Sequence, residues 1–244
     1  MEYGLQLYSV RDVTEKNLDD ALRQVAGIGY KWVEFAGFFG HSAKEVADML
    51  GKYGLKTSGT HSDWRDLVRD FDGTVAYHKA IGDRNFIVPG TDLWTRNKLN
   101  EFIHYAGELQ PKLADEGMTF GFHNHFREFT RTEEGYIPYF ELAEKTDIRL
   151  ELDTYWAFVA GQDPIQLMEQ YKGRLHFIHI KDGDSEGHGK PLGMGTAPVA
   201  EVYRKACGLH VPMIVESETL TPSGMEEARI CFDCLKKMEK EMNQ

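Results

Sequence analysis

Acids and imidazoles in this chain stand in short runs: Glu34, His61, His123-Asn124-His125, Glu151-Leu152-Asp153, His179-Ile180-Lys181-Asp182 and Glu216-Ser217-Glu218. Several are spaced by two, which in an extended strand puts them on one face. If Leu150 and Leu152 face outward, Glu151 and Asp153 face inward; Ile178 and Ile180 outward leave Phe177, His179 and Lys181 inward. By the same rule Phe122 outward leaves His123 and His125 inward, and Val215 leaves Glu216. Converging carboxylates raise one another's pKa unless something neutralises them, and a divalent cation is the simplest neutraliser. A mixed oxygen and nitrogen donor set suits Mn²⁺, Mg²⁺, Co²⁺ or Zn²⁺, and the lack of thiolates argues against structural zinc. Any one of these residues reads equally well as an isolated ion pair or a satisfied strand-end group. The set together does not, because buried charges are rare without partners or metals.

The elements that must bring them together repeat eight times, each a short apolar or β-branched run followed by a segment at helical period. The expected strands are Tyr3–Val10, Lys31–Ala36, Lys56–His61, Asn85–Gly90, Thr119–His125, Arg149–Thr154, Arg174–Lys181 and Pro212–Ser217. Asp19–Ile28 is a representative helix, with Ala21, Leu22, Val25, Ala26 and Ile28 on one side. Gly27 and Gly29, Gly51 and Gly54, Gly82 and Gly117 stand where helices should end. Strict alternation implies parallel strands. Eight units in 244 residues, about 30 residues each, close most naturally into a (β/α)₈ TIM barrel spanning residues 1–244 as a single domain. An open doubly wound sheet would show a glycine-rich loop after its first strand, where this chain has Ser9-Val10-Arg11-Asp12. In a barrel the strand C-termini and the loops after them carry the chemistry, which is where the acids and imidazoles fall.

Composition narrows the function classes. Hydrophobic residues are 41 % and charged residues 27 %, a globular balance with ample core for a chain of this length. The excess of 39 Asp+Glu over 28 Lys+Arg gives a net charge of −11, which opposes phosphate backbones and anionic membranes; neither a nucleic-acid nor a membrane partner is expected. No 18-residue apolar run is present, and the N-terminus enters a strand directly, so a cytoplasmic location is the default expectation. Three cysteines do not make a disulfide framework. Cys231-Phe232-Asp233-Cys234 falls late in a helical pattern and reads as two partly buried thiols, and Lys236–Gln244 reads as a charged, fraying helix end.

Five segments together resemble the xylose-isomerase-like barrels, a family of sugar-phosphate isomerases, ketose 3-epimerases, inosose dehydratases and apurinic endonucleases. They are Gly121-Phe122-His123-Asn124-His125 with Glu128, Leu150 to Trp156, His176 to Asp182, Gly193-Met194-Gly195, and Ile214-Val215-Glu216-Ser217. The resemblance covers essentially the whole chain. It implies one divalent metal, Mn²⁺ first, held by Asp153, His179 and Glu216. The family's fourth ligand, a glutamate on strand five, is replaced by His123; either His123 or His125 takes its place, or Glu128 folds back from the next loop, and Glu128 is the favoured choice. A metal holding a carbonyl and a neighbouring hydroxyl stabilises an enediolate as a carbon loses its proton. Glu216 is the first candidate base, with His125 and Lys181 as candidates for the second proton transfer; for Lys181 a salt bridge to Glu151 or Asp153 is the competing reading.

Glu34, His61, His123 and Trp156 are the expected substrate contacts, the first two through sugar hydroxyls. Trp94, Tyr155, Phe38 and Phe39 also follow strand ends, where aromatics stack on sugars or simply fill core, and His188-Gly189-Lys190-Pro191 either closes over the site or is an ordinary loop. The leading function is a metal-dependent isomerase or epimerase of a sugar or sugar derivative. A lyase or dehydratase of keto-sugars or inosose-like polyols is the rival, because a carboxylate is lost on strand five. An endonuclease needs a histidine where Trp156 stands, and a non-catalytic sugar-binding barrel would have lost Asp153, His179 or Glu216. The partner is a small carbohydrate; related barrels often pair, so a homodimer is the assembly implied.

Overall fold

A computed structural model describes residues 1–242 of the chain. Eight strands form a closed parallel barrel: β1 Gly4–Gln6, β2 Trp32–Phe35, β3 Lys56–His61, β4 Asn85–Val88, β5 Thr119–His123, β6 Arg149–Asp153, β7 Leu175–Ile180 and β8 Met213–Val215. Each pairs with its neighbours in chain order and β1 pairs with β8, so no edge remains. Helices follow the strands. No described helix is long and apolar enough to cross a membrane.

The strands close because their outward faces are continuous hydrocarbon. Leu5, Val33, Phe35, Phe86, Val88, Phe120, Phe122, Leu150, Leu152, Ile178, Ile180 and Val215 are all buried against the helices, each contributing about 1.5–3 kcal/mol of apolar transfer free energy. Inside, Ile87, Phe177 and Ile214 form an apolar plug below the polar groups. Helix ends follow local rules. Ser42 and Glu45 make a reciprocal capping box at the start of helix Ala43–Tyr53, and Gly54 closes that helix at φ 65°, a left-handed conformation that glycine adopts without steric cost. Gly27 and Gly51, in contrast, lie inside their helices.

Most strands stop earlier than the sequence pattern suggests. The first ends at Gln6, whose side chain accepts from the Tyr8 N–H and starts a 3₁₀ turn over Leu7–Val10. The fifth ends at His123, leaving His125 in the loop, and Lys181 and Glu216 follow the ends of β7 and β8. The expected helix at Asp19 begins at Leu18, capped by Asn17. The C-terminal helix runs Gly224–Met242, placing Cys231 in its buried face and Cys234 at its margin as free thiols; the last two residues of the charged Lys236–Gln244 stretch lie outside the described residues.

Two register shifts aim side chains inward. β2 and β3 slip between Val33 and Glu34, and β6 and β7 slip between Leu150 and Glu151. Each bulge immediately precedes an inward acid, as expected of irregularities that re-aim a side chain. Gly59 makes the first tolerable: a Cβ there would sit 2.6 Å from Ile87 Cδ1 and 3.4 Å from Glu34 Oε1.

The segment after β7 is ordered by one carboxylate. Asp182 accepts from the N–H groups of Gly183 (2.8 Å), Gly193 (2.9 Å), Gly195 (3.0 Å) and Ala197 (3.2 Å). Gly189–Lys190 pairs antiparallel with Asp182–Gly183, so His188–Pro191 belongs to an anchored hairpin rather than a free flap. Replacing Asp182 by Ala strands these donors and is expected to lower unfolding free energy by about 2–4 kcal/mol. Urea denaturation measures this, and a change under about 0.5 kcal/mol would show that the carboxylate does not order the segment.

Candidate metal centre and active site

The inward groups form two levels around His179. On the inner level Glu34, from β2, gathers three donors on one oxygen: Gln6 Nε2 at 2.7 Å, His179 Nε2 at 2.7 Å and His61 Nε2 at 3.1 Å. His61 Nε2 also lies 2.8 Å from Glu151 Oε2, which is 3.4 Å from His179 Nε2. On the outer level Nδ1 of His179 faces Glu216 Oε2 at 3.3 Å, and Lys181 Nζ lies 3.5 Å from the same oxygen. Lys181 pairs with Glu218 as well. Its ion pairs are therefore with Glu216 and Glu218, not with Glu151 or Asp153.

Two sets of four donors lie within 4.8 Å of one another: His61, His123, Glu151 and His179, and His123, Asp153, His179 and Glu216. In the inner set the one carboxylate, Glu151, is already paired with His61. Unpartnered acceptors occur in both sets, Glu151 Oε1 in the inner and Asp153 Oδ2 in the outer, but only the outer set has two carboxylates to offset a divalent charge. Asp153 uses Oδ1 to cap helix Thr154–Val159 through the Trp156 N–H (2.8 Å), while its Oδ2 is buried without a partner. His123 Nδ1 is likewise unpartnered; it lies 3.4 Å from Glu151 Oε2 but lacks hydrogen-bond alignment. Unpaired buried acceptors are costly, and a divalent cation on the outer set would satisfy them; the donor chemistry fits Mn²⁺, Co²⁺ or Zn²⁺.

Glu128 is not brought to either set. Its Oε2 accepts the His125 backbone N–H at 2.8 Å, which fixes the turn after β5, and the carboxylate falls in neither donor set. His123 occupies the strand-five position instead. Asn124 braces the same place, exchanging hydrogen bonds with the Asp153 backbone at 3.1 and 3.2 Å.

A cavity of about 360 Å³ opens above the outer set, lined by His61, His123, His125, Trp156, Glu216, Glu218 and Tyr8 among others. A larger cavity of about 740 Å³ lies at the opposite end, floored by Trp32, Phe177, Met213 and Ile214 and remote from the acid–imidazole cluster. Strand C-termini, not the larger void, mark the chemistry of a barrel. Of the aromatics after strand ends, Trp156 reaches the smaller cavity, with Lys181 Nζ 4.6 Å from its ring centre. Tyr155 is buried with its hydroxyl donating to the Asp184 carbonyl, Phe38 packs on Tyr77, Trp94 stacks beneath Arg127, and Phe39 is largely exposed. Glu34 is fully buried beneath the cavity. Gln6, Tyr8 and Glu218 also belong to the site. Alternation between outward Leu5 and Leu7 marks Gln6 as inward, whereas Tyr8 lies within an unforeseen 3₁₀ turn.

Electrostatics separates the groups. Burial raises Asp153 and Glu151 to about 7. Burial also works against ionisation of Glu34 and Glu216, but imidazoles hold Glu34, and Lys181 with His179 holds Glu216, well below the usual carboxylate range. His61 reaches about 9 despite burial, through Glu34 and Glu151, and the same acids raise His179. Burial lowers both His123 and His125, leaving them neutral, and Lys181 is raised against its burial by Glu216 and Asp153.

Residues 22–237 match the model of the xylose isomerase-like TIM barrel family. The chain belongs to that family. Among relatives in the family, an inosose dehydratase of Geobacillus kaustophilus is 22 % identical over 192 residues, covering 67 % of this chain and 61 % of that protein. A sugar phosphate isomerase/epimerase from Parabacteroides distasonis superposes with a TM-score of 0.84 at 23 % identity, over 97 % of this chain and 98 % of that one. An L-ribulose 3-epimerase superposes at 0.75 with 15 % identity, over 100 % and 97 % of the two chains. The structural likeness is one of fold.

Because Asp153 carries a proton below about 7 without metal, a cation binding there must displace it. His179, raised by its acid neighbours, must give up a proton as well, so metal affinity is expected to rise with pH across the range, most steeply below about 7, where Asp153 also loses its proton. Calorimetric titration with Mn²⁺ between pH 5.5 and 8.5 measures this, and a pH-independent affinity would place the ion away from Asp153.

Proposed function

We propose that the chain is a divalent-metal-dependent isomerase or epimerase of a sugar or sugar derivative. The observation that carries this reading is the convergence of His123, Asp153, His179 and Glu216 below a cavity walled by His125 and Trp156. These four would hold the ion, with His123 in the place expected of Glu128. When bound, a divalent ion polarises a carbonyl and stabilises negative charge as the adjacent carbon loses its proton.

The protein's own groups divide the remaining work. His125 is neutral and lines the cavity, so it can accept a proton and return it. Glu216 stays ionised and is the carboxylate available on the opposite strand for the second transfer. Lys181 is pinned between Glu216 and Glu218 and stays cationic, so its part is a fixed positive charge rather than a proton carrier. Trp156 offers an apolar face to a ring.

A dehydratase is the second reading, favoured by His123: with an imidazole on strand five, Glu216 and His125 form an unlike pair suited to removing a proton and protonating a leaving hydroxyl. Incubating metal-loaded protein with ketoses and inososes in D₂O separates the two. Deuterium at the carbon beside the carbonyl, without loss of water, is expected, and Glu216→Gln should slow it by about 10²–10⁴-fold. Enone absorbance with loss of water would establish the dehydratase; neither signal across the panel would contradict both.

A further inference from the structure

We propose that Glu34 is a positioning residue that fixes His179 so that its Nδ1, and not its Nε2, addresses the cation. The sequence assigns Glu34 to sugar hydroxyls, but it is fully buried and its Oε2 is saturated by Gln6, His179 and His61. The inference rests on the metal reading above and deepens it.

With a cation in place of its second proton, the His179 imidazole would keep one N–H and one lone pair, so an acceptor on one nitrogen dictates what the other can do. Glu34 sits 2.7 Å from Nε2 and requires the hydrogen there. The lone pair then lies on Nδ1, the atom facing Glu216 in the outer set. Without the Glu34 carboxylate Nε2 could turn its own lone pair to the inner level, where Glu151 lies 3.4 Å away. His179 belongs to both candidate sets, and Glu34 decides which one it serves. Carboxylates hydrogen-bonded behind a ligating histidine set its tautomer and raise its basicity in this way.

Gln6 makes the brace rigid. Its amide donates to Glu34 at 2.7 Å, and the same side chain accepts the Tyr8 N–H at 3.0 Å. The carboxylate is therefore tied to the backbone turn after β1 and cannot follow a displaced imidazole.

Co²⁺ titration of the metal-free protein, read by affinity and by visible absorption, tests the role alongside thermal unfolding of each variant. Glu34→Gln is expected to weaken Co²⁺ binding by about 10–100-fold and to alter the absorption band, while Glu34→Asp, which keeps the charge, loses less. A role confined to folding would lower Tm and leave the affinity of the folded protein unchanged. A role in substrate binding would raise KM and leave Co²⁺ affinity unchanged. Either result overturns the proposal, and if Glu34→Gln does not fold, unchanged affinity in Glu34→Asp overturns it equally. Failure of the unsubstituted protein to bind Co²⁺ would instead refute the metal centre, and the brace with it.

Discussion

One imidazole holds the two halves of this site together. His179 lies between Glu34 and Glu216, one carboxylate on each ring nitrogen, at the axis of a closed barrel where water is excluded. Charge in such a place persists only when it is balanced. Below His179 the balance is internal, with two acids and two imidazoles arranged around shared oxygens. Above it two carboxylates, Asp153 and Glu216, gather with His123 and His179, and Asp153 keeps a bare oxygen.

The barrel produces this asymmetry through its strands rather than its loops. Both inner acids follow a slip in strand register, and Gly59 leaves the space that one slip requires. Ile87, Phe177 and Ile214 seal the axis underneath. The outer ligands stand at strand ends, where Asp153 caps a helix and Asn124 ties two strand termini together. Ligands held by regular structure need little reorganisation when a cation arrives.

The eight-fold repeat and the inward faces of β6, β7 and β8 were legible in the sequence, because a period of two survives wherever outward residues are plainly apolar. Leu150, Leu152, Ile178, Ile180 and Val215 supplied that contrast. That Glu128 falls outside both donor sets was not legible, because sequence distance from β5 says nothing about a turn in which a carboxylate captures the His125 N–H. Glu34 stands on its expected strand but fully buried: burial along a barrel axis depends on shear and register, which the bulges set and the sequence pattern does not reveal. Trp156 was separable from Tyr155, Trp94 and Phe38 only once packing was known.

The central claim is a single cation on His123, Asp153, His179 and Glu216. Metal content after reconstitution with Mn²⁺ and removal of excess, determined by elemental analysis, tests it most directly. The account expects about one equivalent per chain, lost when Asp153 is replaced by Asn and retained when Glu128 is replaced by Gln. No bound metal in the unsubstituted protein, or metal lost with Glu128 and kept without Asp153, would contradict it.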